Sequence, residues 1–274
     1  MNKTIAFIGT GAMGGAMLHA ACRTVPPNQI YITDRDSAKA ATLAAELGCH
    51  IAADNQAAVA AADCVILCIK PQGIESVLQD IAPILLQSRK SNQPKILCSI
   101  LAGVSIAQMR RILQDEDYPI VRLMPNTPIL IGKGLVLYAA DKSVSDAAIV
   151  EIETILSACG QVERLAESLF DQATVSAGCV PAFAYLFMEA LADGGVAIGL
   201  PRDKALQYAA KTVYGAAAMV LETGRHPARL KDMVTSPGGS TIAGIAALED
   251  NALRTAAIKA MQAAYQRNLE LGNL

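Results

Sequence analysis

Three glycines stand near the start of the chain as Gly9-x-Gly11-x-x-Gly14, directly after the apolar run "IAFI". That spacing suits one kind of chemistry. The first glycine permits a tight turn, the second lets backbone approach a pyrophosphate, and the third lets a helix pack close to a strand. Amides opening that helix then face the phosphates, with the positive end of the helix dipole behind them. Gly9, Thr10, Gly11, Ala12, Met13 and Gly14 are therefore candidate contacts to a dinucleotide. Asp34 follows 20 residues after Gly14 and closes the run "QIYIT". An acid there would bond ribose hydroxyls and select NAD. Arg35 comes next, and a guanidinium there would hold a 2′-phosphate and favour NADP. The two signals conflict, and both cofactor forms stay open at this point.

A second cluster lies far down the chain, in "MVTSPGGSTIAGIAALED". Pro237, Gly238 and Gly239 break one helical run, and Ser240 and Thr241 are natural N-caps for the next. Bare glycine amides beside a helix start make a small anion hole suited to a carboxylate. The competing reading is a plain helix-helix turn. Absent residues narrow the chemistry further. The three histidines, His19, His50 and His226, have no carboxylate at a spacing that forms a dyad or triad, and no His/Cys/Asp cluster has metal-ligand spacing. A reaction that needs orientation more than a protein acid fits, such as hydride transfer to an imine that arrives protonated, with the cofactor carrying the chemistry.

Elements must position these groups. β-type runs occur at "TIAFIG", "QIYIT", "CVILCI", "KILCSI" and "PIVRLMP", with helical stretches over residues 12–24, 37–47, 74–86 and 105–113 between them. This alternation predicts βαβ units and a doubly wound, mostly parallel sheet. "GLVLYAA" and "QVERL" add late strands. Beyond residue 165 the pattern is helical, so the expected division is an α/β domain over 1–164 and an all-α domain over 165–274. Pro201 and Pro227 fit first-turn positions and Gly224 a helix stop. Parallel sheets bind ligands beyond the carboxyl ends of their strands. Candidates arriving there are Asn55, then Ile69, Lys70 and Pro71, then Ala102 and Gly103, and finally Asn126, Thr127 and Pro128.

Composition sets the outer bounds. The net charge is −2 over 274 residues, with no basic run, which argues against nucleic acid. The seven cysteines form no C-x-x-C pair and mostly sit in apolar runs. They read as small core residues, and reduced thiols point to the cytoplasm. The apolar run before the glycines is too short for a signal-peptide core. The apolar stretch around "ALADGGVAIGL" is broken by Glu189, Asp193 and a glycine pair, which disfavours a membrane span. The helix over 201–223 is apolar nearly all round and must be enclosed, which predicts a partner subunit.

Taken together, "FIGTGAMG", "CIKPQ", "MPNTP", "ALADGGVAIGLPRDKA" and above all "HPARLKDMVTSPGGSTIAGIAALE" resemble Δ1-pyrroline-5-carboxylate reductases along essentially the whole chain. The resemblance implies an N-terminal Rossmann domain and a helical domain that interlocks two subunits, often with higher assembly of dimers. It implies reduction of 1-pyrroline-5-carboxylate to L-proline with NADPH or NADH. It places Gly9 to Gly14, Asn55, Ile69 to Pro71 and Ala102 along the cofactor, and Asn126 to Pro128 near the nicotinamide. Gly238, Gly239, Ser240 and Thr241 would meet the substrate, with Ser240 and Thr241 as the catalytic pair. Thr241 would bond the ring nitrogen and the surrounding amides the carboxylate.

One segment departs from the family pattern. It reads "SAGCVPAF", so Ala177 and Cys179 stand where hydroxyl residues are usual, and Phe183 where tyrosine is. Gly178 keeps a role there through its backbone. Two alternatives carry weight beside the main reading. A β-hydroxyacid dehydrogenase would want a lysine on the first long helix of the second domain, yet residues 176–200 contain none. A non-catalytic NAD(P)-binding protein would not need an intact "SPGGST".

Overall fold

The computed structural model describes residues 3–91 and 94–272. One sheet contains β1 (Ile5–Ile8), β2 (Ile30–Thr33), β3 (His50–Ile51), β4 (Cys64–Leu67), β5 (Ile96–Ser99), β6 (Ile120–Pro125), β7 (Gly134–Ala140) and β8 (Gly160–Arg164). Their spatial order is β3-β2-β1-β4-β5-β6-β7-β8. The first six run parallel, β7 is antiparallel to β6, and β8 is parallel to β7. The order reverses between β1 and β4, where Ile5 to Ile8 pair with Cys64 to Leu67. Such a switch point is where doubly wound sheets open a crevice.

Helices cover both faces, which is why the strands read as unbroken apolar runs. Along β1, Ile5 and Phe7 face a layer built from α1 (Ala12–Ala21), α2 (Ser37–Leu47) and α6 (Asp146–Leu156). Ala6 and Ile8 face α3 (Asn55–Ala61), α4 (Ile74–Lys90) and α5 (Ile106–Leu113). Local signals set the helix starts. Asp36, Asp54, Ser105 and Ser145 cap α2, α3, α5 and α6 through their side chains, and Ser105 with Gln108 completes a capping box. α1 stops at Ala21, short of the residue 24 expected from its apolar pattern. Thr24 instead bonds the carbonyls of Ala21 and Ile155, each at 3.0 Å. Helices α3 and α6 and the two-residue β3 were not anticipated.

After β8 come α7 (Phe170–Ala173), a π-helical turn at Thr174–Cys179, and α8 (Val180–Ala197), α9 (Arg202–Thr223), α10 (Pro227–Met233), α11 (Ser240–Asp250) and α12 (Leu253–Gly272). The chain forms two compact units. One runs to Gly178 and takes back the residues from Tyr265 onward; the other is Cys179–Ala264. The last strand ends at Arg164, yet the first unit extends beyond it. Phe170, Ala173 and Ala177 pack on Leu137 and Ala139 of β7, and Arg122 of β6 lies 4.8 Å from the Phe170 ring.

The second unit has a small interior of its own. Ala192, Ala205 and Ala209 form its buried cluster, with Gly195 letting α8 and α9 approach closely. Ile198 and Leu221 remain 84% and 80% exposed. Pro227 takes the first turn of α10, and Gly224 ends α9 in the left-handed region, as expected. Pro201 differs: it is the N-cap of α9, outside the first turn.

Candidate active site

The glycine loop shows three separate reasons for three glycines. Gly9 has φ +97°, and a Cβ on it would lie 2.5 Å from the carbonyl oxygen of Cys68, just past the end of β4. A Cβ on Gly14 would strike the Gly9 carbonyl and come 2.8 Å from the Cys68 Cβ. These two positions are closed by protein. At Gly11 a Cβ would meet nothing within 4 Å. Its space is open, at the start of α1, where unsatisfied amides gather. Ala12 and Met13 form the first turn of α1, and no side chain caps it.

A cleft of about 540 Å³ opens at this place. Gly9, Gly11, Asp34, Arg35, Asn55, Ile69 and Lys70 line it, so the strand-end candidates from β1, β2 and β4 converge as expected. Lys39, Gln72, Gly73 and Ser76 line it too and were not singled out beforehand. Gln72 and Gly73 belong to the 3-10 turn after Lys70, and Lys39 and Ser76 to the first turns of α2 and α4. Thr10 is buried beneath the loop. Pro71 opens the short 3-10 turn after Lys70.

Asp34 lines the cleft and also bonds its own chain. Its Oδ2 accepts from the Thr10 amide at 2.5 Å and the Thr10 hydroxyl at 2.9 Å, and its Oδ1 accepts from the Asp36 amide at 3.0 Å. Burial pushes this carboxyl up, but the amides of Asp36 and Thr10, the Thr10 hydroxyl and the Lys39 charge outweigh it and hold it below the usual carboxylate range. Asp34 therefore anchors the loop, and Arg35 and Lys39 supply positive charge on that wall.

The remaining candidates of this unit lie farther along the carboxyl edge, outside the lining of that cleft. Ala102 and Gly103 form the turn after β5, with Gly103 at φ +74°. Asn126, Thr127 and Pro128 follow β6. Asn126 spends both ends of its amide on the protein: Oδ1 accepts from Leu135 N at 2.9 Å, and Nδ2 donates to Ala177 O at 3.1 Å. It thus ties the β6–β7 connection to the π-helical turn. Gly178, at the end of that turn, stands where a Cβ would strike the Met124 Cε.

Gly238, Gly239, Ser240 and Thr241 belong to the second unit. Gly238 has φ +69°, which only glycine holds without strain. One expectation needs correction here. Ser240 does not cap α11; Gly239 is the N-cap and Ser240 the first helical residue, with no side-chain capping bond. A Cβ at Gly239 would lie 2.5 Å from Ser236 Oγ, so a larger residue in the cap position would have to displace that hydroxyl. The hydroxyls of Ser240 and Thr241 are thereby released from capping.

The histidines serve structure. His50 bonds Asn28 O at 3.1 Å and stacks on Tyr31, and His226 accepts the Ala228 amide at 3.2 Å to cap α10. His19 lies 3.9 Å from Glu46. None lines the cleft. Four cysteines are buried, but Cys22, Cys49 and Cys179 are only partly so, which departs from the expectation of a uniformly buried set.

The fold and the cleft at its switch point define a dinucleotide-binding protein of Rossmann type. Residues 4–103 match the family described as NADP oxidoreductase coenzyme F420-dependent, and residues 167–271 match pyrroline-5-carboxylate reductase dimerisation. A pyrroline-5-carboxylate reductase of Synechocystis is 40% identical over 274 residues, with 99% of each chain covered. The solved pyrroline-5-carboxylate reductase of Coxiella burnetii is similar at TM-score 0.88 and 32% identity, covering 99% of both chains. That of Plasmodium falciparum, solved with NADP bound, is similar at TM-score 0.86 and 29% identity, covering 99% and 98%. The chain belongs to the pyrroline-5-carboxylate reductase family.

Proposed function

We propose that this protein reduces 1-pyrroline-5-carboxylate to L-proline, with NADPH as hydride donor and NADH as the alternative. The observation that carries the reading is the glycine loop at the β1/β4 switch point, closed at Gly9 and Gly14 and open at Gly11. The fit to a dinucleotide is good: a bare helix start for the pyrophosphate, and Arg35 with Lys39 on the adenosine wall for a 2′-phosphate. Bound there, the dinucleotide supplies a hydride to the C=N carbon.

The chain's own residues bind and orient. Gly9 to Gly14 cradle the phosphates, and Asn55, Ile69, Lys70 and Pro71 flank the cofactor. Ala102, Gly103 and Asn126 to Pro128 continue along the nicotinamide side. In the helical half, the Gly238 amide and the opening amides of α11 are offered to the substrate carboxylate, while the Gly239 amide is held by the Ser236 carbonyl at 3.1 Å and shapes the turn. Thr241, with Ser240 beside it, offers a hydroxyl to the ring nitrogen, and Gly178 contributes backbone. Catalysis by orientation agrees with histidines that are all engaged in structural contacts.

The functional division we propose is dinucleotide binding over 1–164 and substrate binding with dimerisation over 165–274. The match of residues 167–271 to a dimerisation family supports it, as do the exposed apolar side chains of α8 and α9. One stretch among the described residues, Glu167–Ala197, is long and apolar enough to cross a membrane, with mean hydropathy 1.5. Burial between two subunits accounts for it: Pro181 and the Gly194-Gly195 pair fit helix packing, and Glu189 and Asp193 would be costly in lipid. The working assembly is a homodimer through these helices, open to higher assembly of dimers, acting in the cytoplasm on a small-molecule substrate. The test is the loss of NADPH or NADH absorbance on adding 1-pyrroline-5-carboxylate, with proline as product. Turnover only with the substrate present is expected; no turnover with either nucleotide would overturn the reading.

A further inference from the structure

Cys22 and Cys49 lie 27 positions apart in sequence, yet their sulfurs are 3.7 Å from each other. Cys22 is the C-cap of α1, its amide bonded to the Leu18 carbonyl at 3.0 Å. Cys49 follows Gly48, whose φ of +77° turns the chain out of α2 and toward β3. Two separate elements therefore aim their thiols at one point, and both residues are partly exposed. A second pair, Cys64 and Cys98, lies at 3.8 Å but is buried between β4 and β5. Among these pairs, only Cys22 and Cys49 combine proximity with access.

We propose that Cys22 and Cys49 form a modification site, a dithiol that exchanges with small-molecule disulfides and closes an intrachain disulfide between the end of α1 and the start of β3. Either thiol can donate across the 3.7 Å contact; with Cys49 as donor the shared bond lowers Cys22, while the same bond and burial push Cys49 up, so Cys22 is the attacking sulfur. The Cys22 thiolate attacks one sulfur of a glutathione-type disulfide, whose S–S bond breaks and releases one thiolate. Cys49 then loses its proton and attacks the Cys22 sulfur, releasing the second thiolate. Two protein thiols are oxidised, and one external disulfide is reduced to two thiols. Closing the disulfide brings the two sulfurs from 3.7 Å to about 2 Å.

The chain between the two cysteines carries β2, Asp34, Arg35 and Lys39, and the last three form one wall of the cleft. A cross-link at its ends limits local opening of that wall and restricts the unfolded chain. The cleft lining itself contains neither cysteine.

The intact protein is incubated with oxidised glutathione, remaining thiols are alkylated, and the mass and peptide map are read. The expected result is loss of two alkylatable thiols per chain, one peptide pair joining Cys22 to Cys49, and reversal by dithiothreitol. Thermal midpoint should rise by several degrees in the oxidised form. In Cys49→Ser the reaction should stall as a glutathione adduct on Cys22, and in Cys22→Ser no intrachain link should form. A wild-type map showing a persistent adduct on Cys22, a link between other cysteines, or no modification would overturn the proposal.

Discussion

Asp34 and Thr10 are joined twice, by the Thr10 amide and by its hydroxyl, both donating to one carboxylate oxygen. The bond fixes the end of β2 to the glycine loop after β1. Loss of it should be felt by any dinucleotide, whichever ribose it carries. For Asp34→Ala we expect the KM for NADPH and for NADH to rise together, by about five- to thirtyfold, as one to two kcal/mol of loop order is lost. Steady-state kinetics with both nucleotides checks this. A rise confined to NADH would return Asp34 to a ribose contact.

The same carboxylate makes a pH prediction. Its folded pKa lies below the unfolded value, so its contribution is complete above about pH 4 and is lost as pH falls through the folded value. The group is only partly buried, so solvent screens the effect and the change is small. Thermal midpoints of wild type and Asp34→Ala should converge in acid and stay apart at neutral pH. Equal separation at both ends would show that the charge of Asp34 plays no part.

Beside Asp34 in the cleft lining stand the charges that bear on a 2′-phosphate. Arg35 and Lys39 both line the cleft. A charge-assisted contact is worth about 1.5–3 kcal/mol. Arg35→Ala should therefore weaken NADPH by about ten- to a hundredfold and leave NADH nearly unchanged. Titration of each nucleotide against the variant decides it, and equal weakening of the two would place Arg35 on the solvent side.

The glycine loop was legible in the sequence because each of its residues meets a backbone constraint that spacing alone reports. The alternation of strands and helices was legible for a similar reason: a sheet buried on both faces leaves apolar runs that nothing else explains. Asp34 was harder, since a carboxylate at a strand end reads the same whether it faces ribose or its own chain. Lys39 and Ser76 were missed because a residue one turn into a helix acquires its position only from packing. Ser240 misled by type, because the left-handed Gly238 shifts the cap to Gly239, a change visible only in the dihedral angles. The apolar surface of α9 was predicted from periodicity, since a helix without a polar face needs a cover.

Two glycines of one loop should fail in opposite ways. Gly14→Ala places a methyl against the Gly9 carbonyl and the Cys68 side chain, and backbone cannot yield there cheaply. We expect a lower thermal midpoint with or without nucleotide. Gly11→Ala meets no protein atom, so the midpoint without nucleotide should hold while the KM for NADPH rises. Calorimetry of both variants, with and without NADPH, separates the two. A Gly11→Ala variant with unaltered KM would show that the space beside Gly11 is solvent.

Thr241 offers the sharpest test of the chemistry, because the fold does not use its hydroxyl. Gly239 caps α11, Thr241 is exposed in the first turn, and no described residue accepts or donates a hydrogen bond to its side chain. Removing it should cost little stability. If the hydroxyl holds the ring nitrogen of the imine as hydride arrives, its loss removes one oriented contact from the transition state, worth about 1.5–4 kcal/mol. Thr241→Ala should then slow turnover about ten- to a thousandfold at an unchanged thermal midpoint. Thr241→Ser keeps the oxygen and should recover most of the rate. The measurement is kcat and KM for 1-pyrroline-5-carboxylate at saturating NADPH. A fall in kcat for alanine with recovery for serine would assign the hydroxyl to the reaction, whereas equal rates for all three would leave the helix amides as the only groups of this turn that act on the substrate.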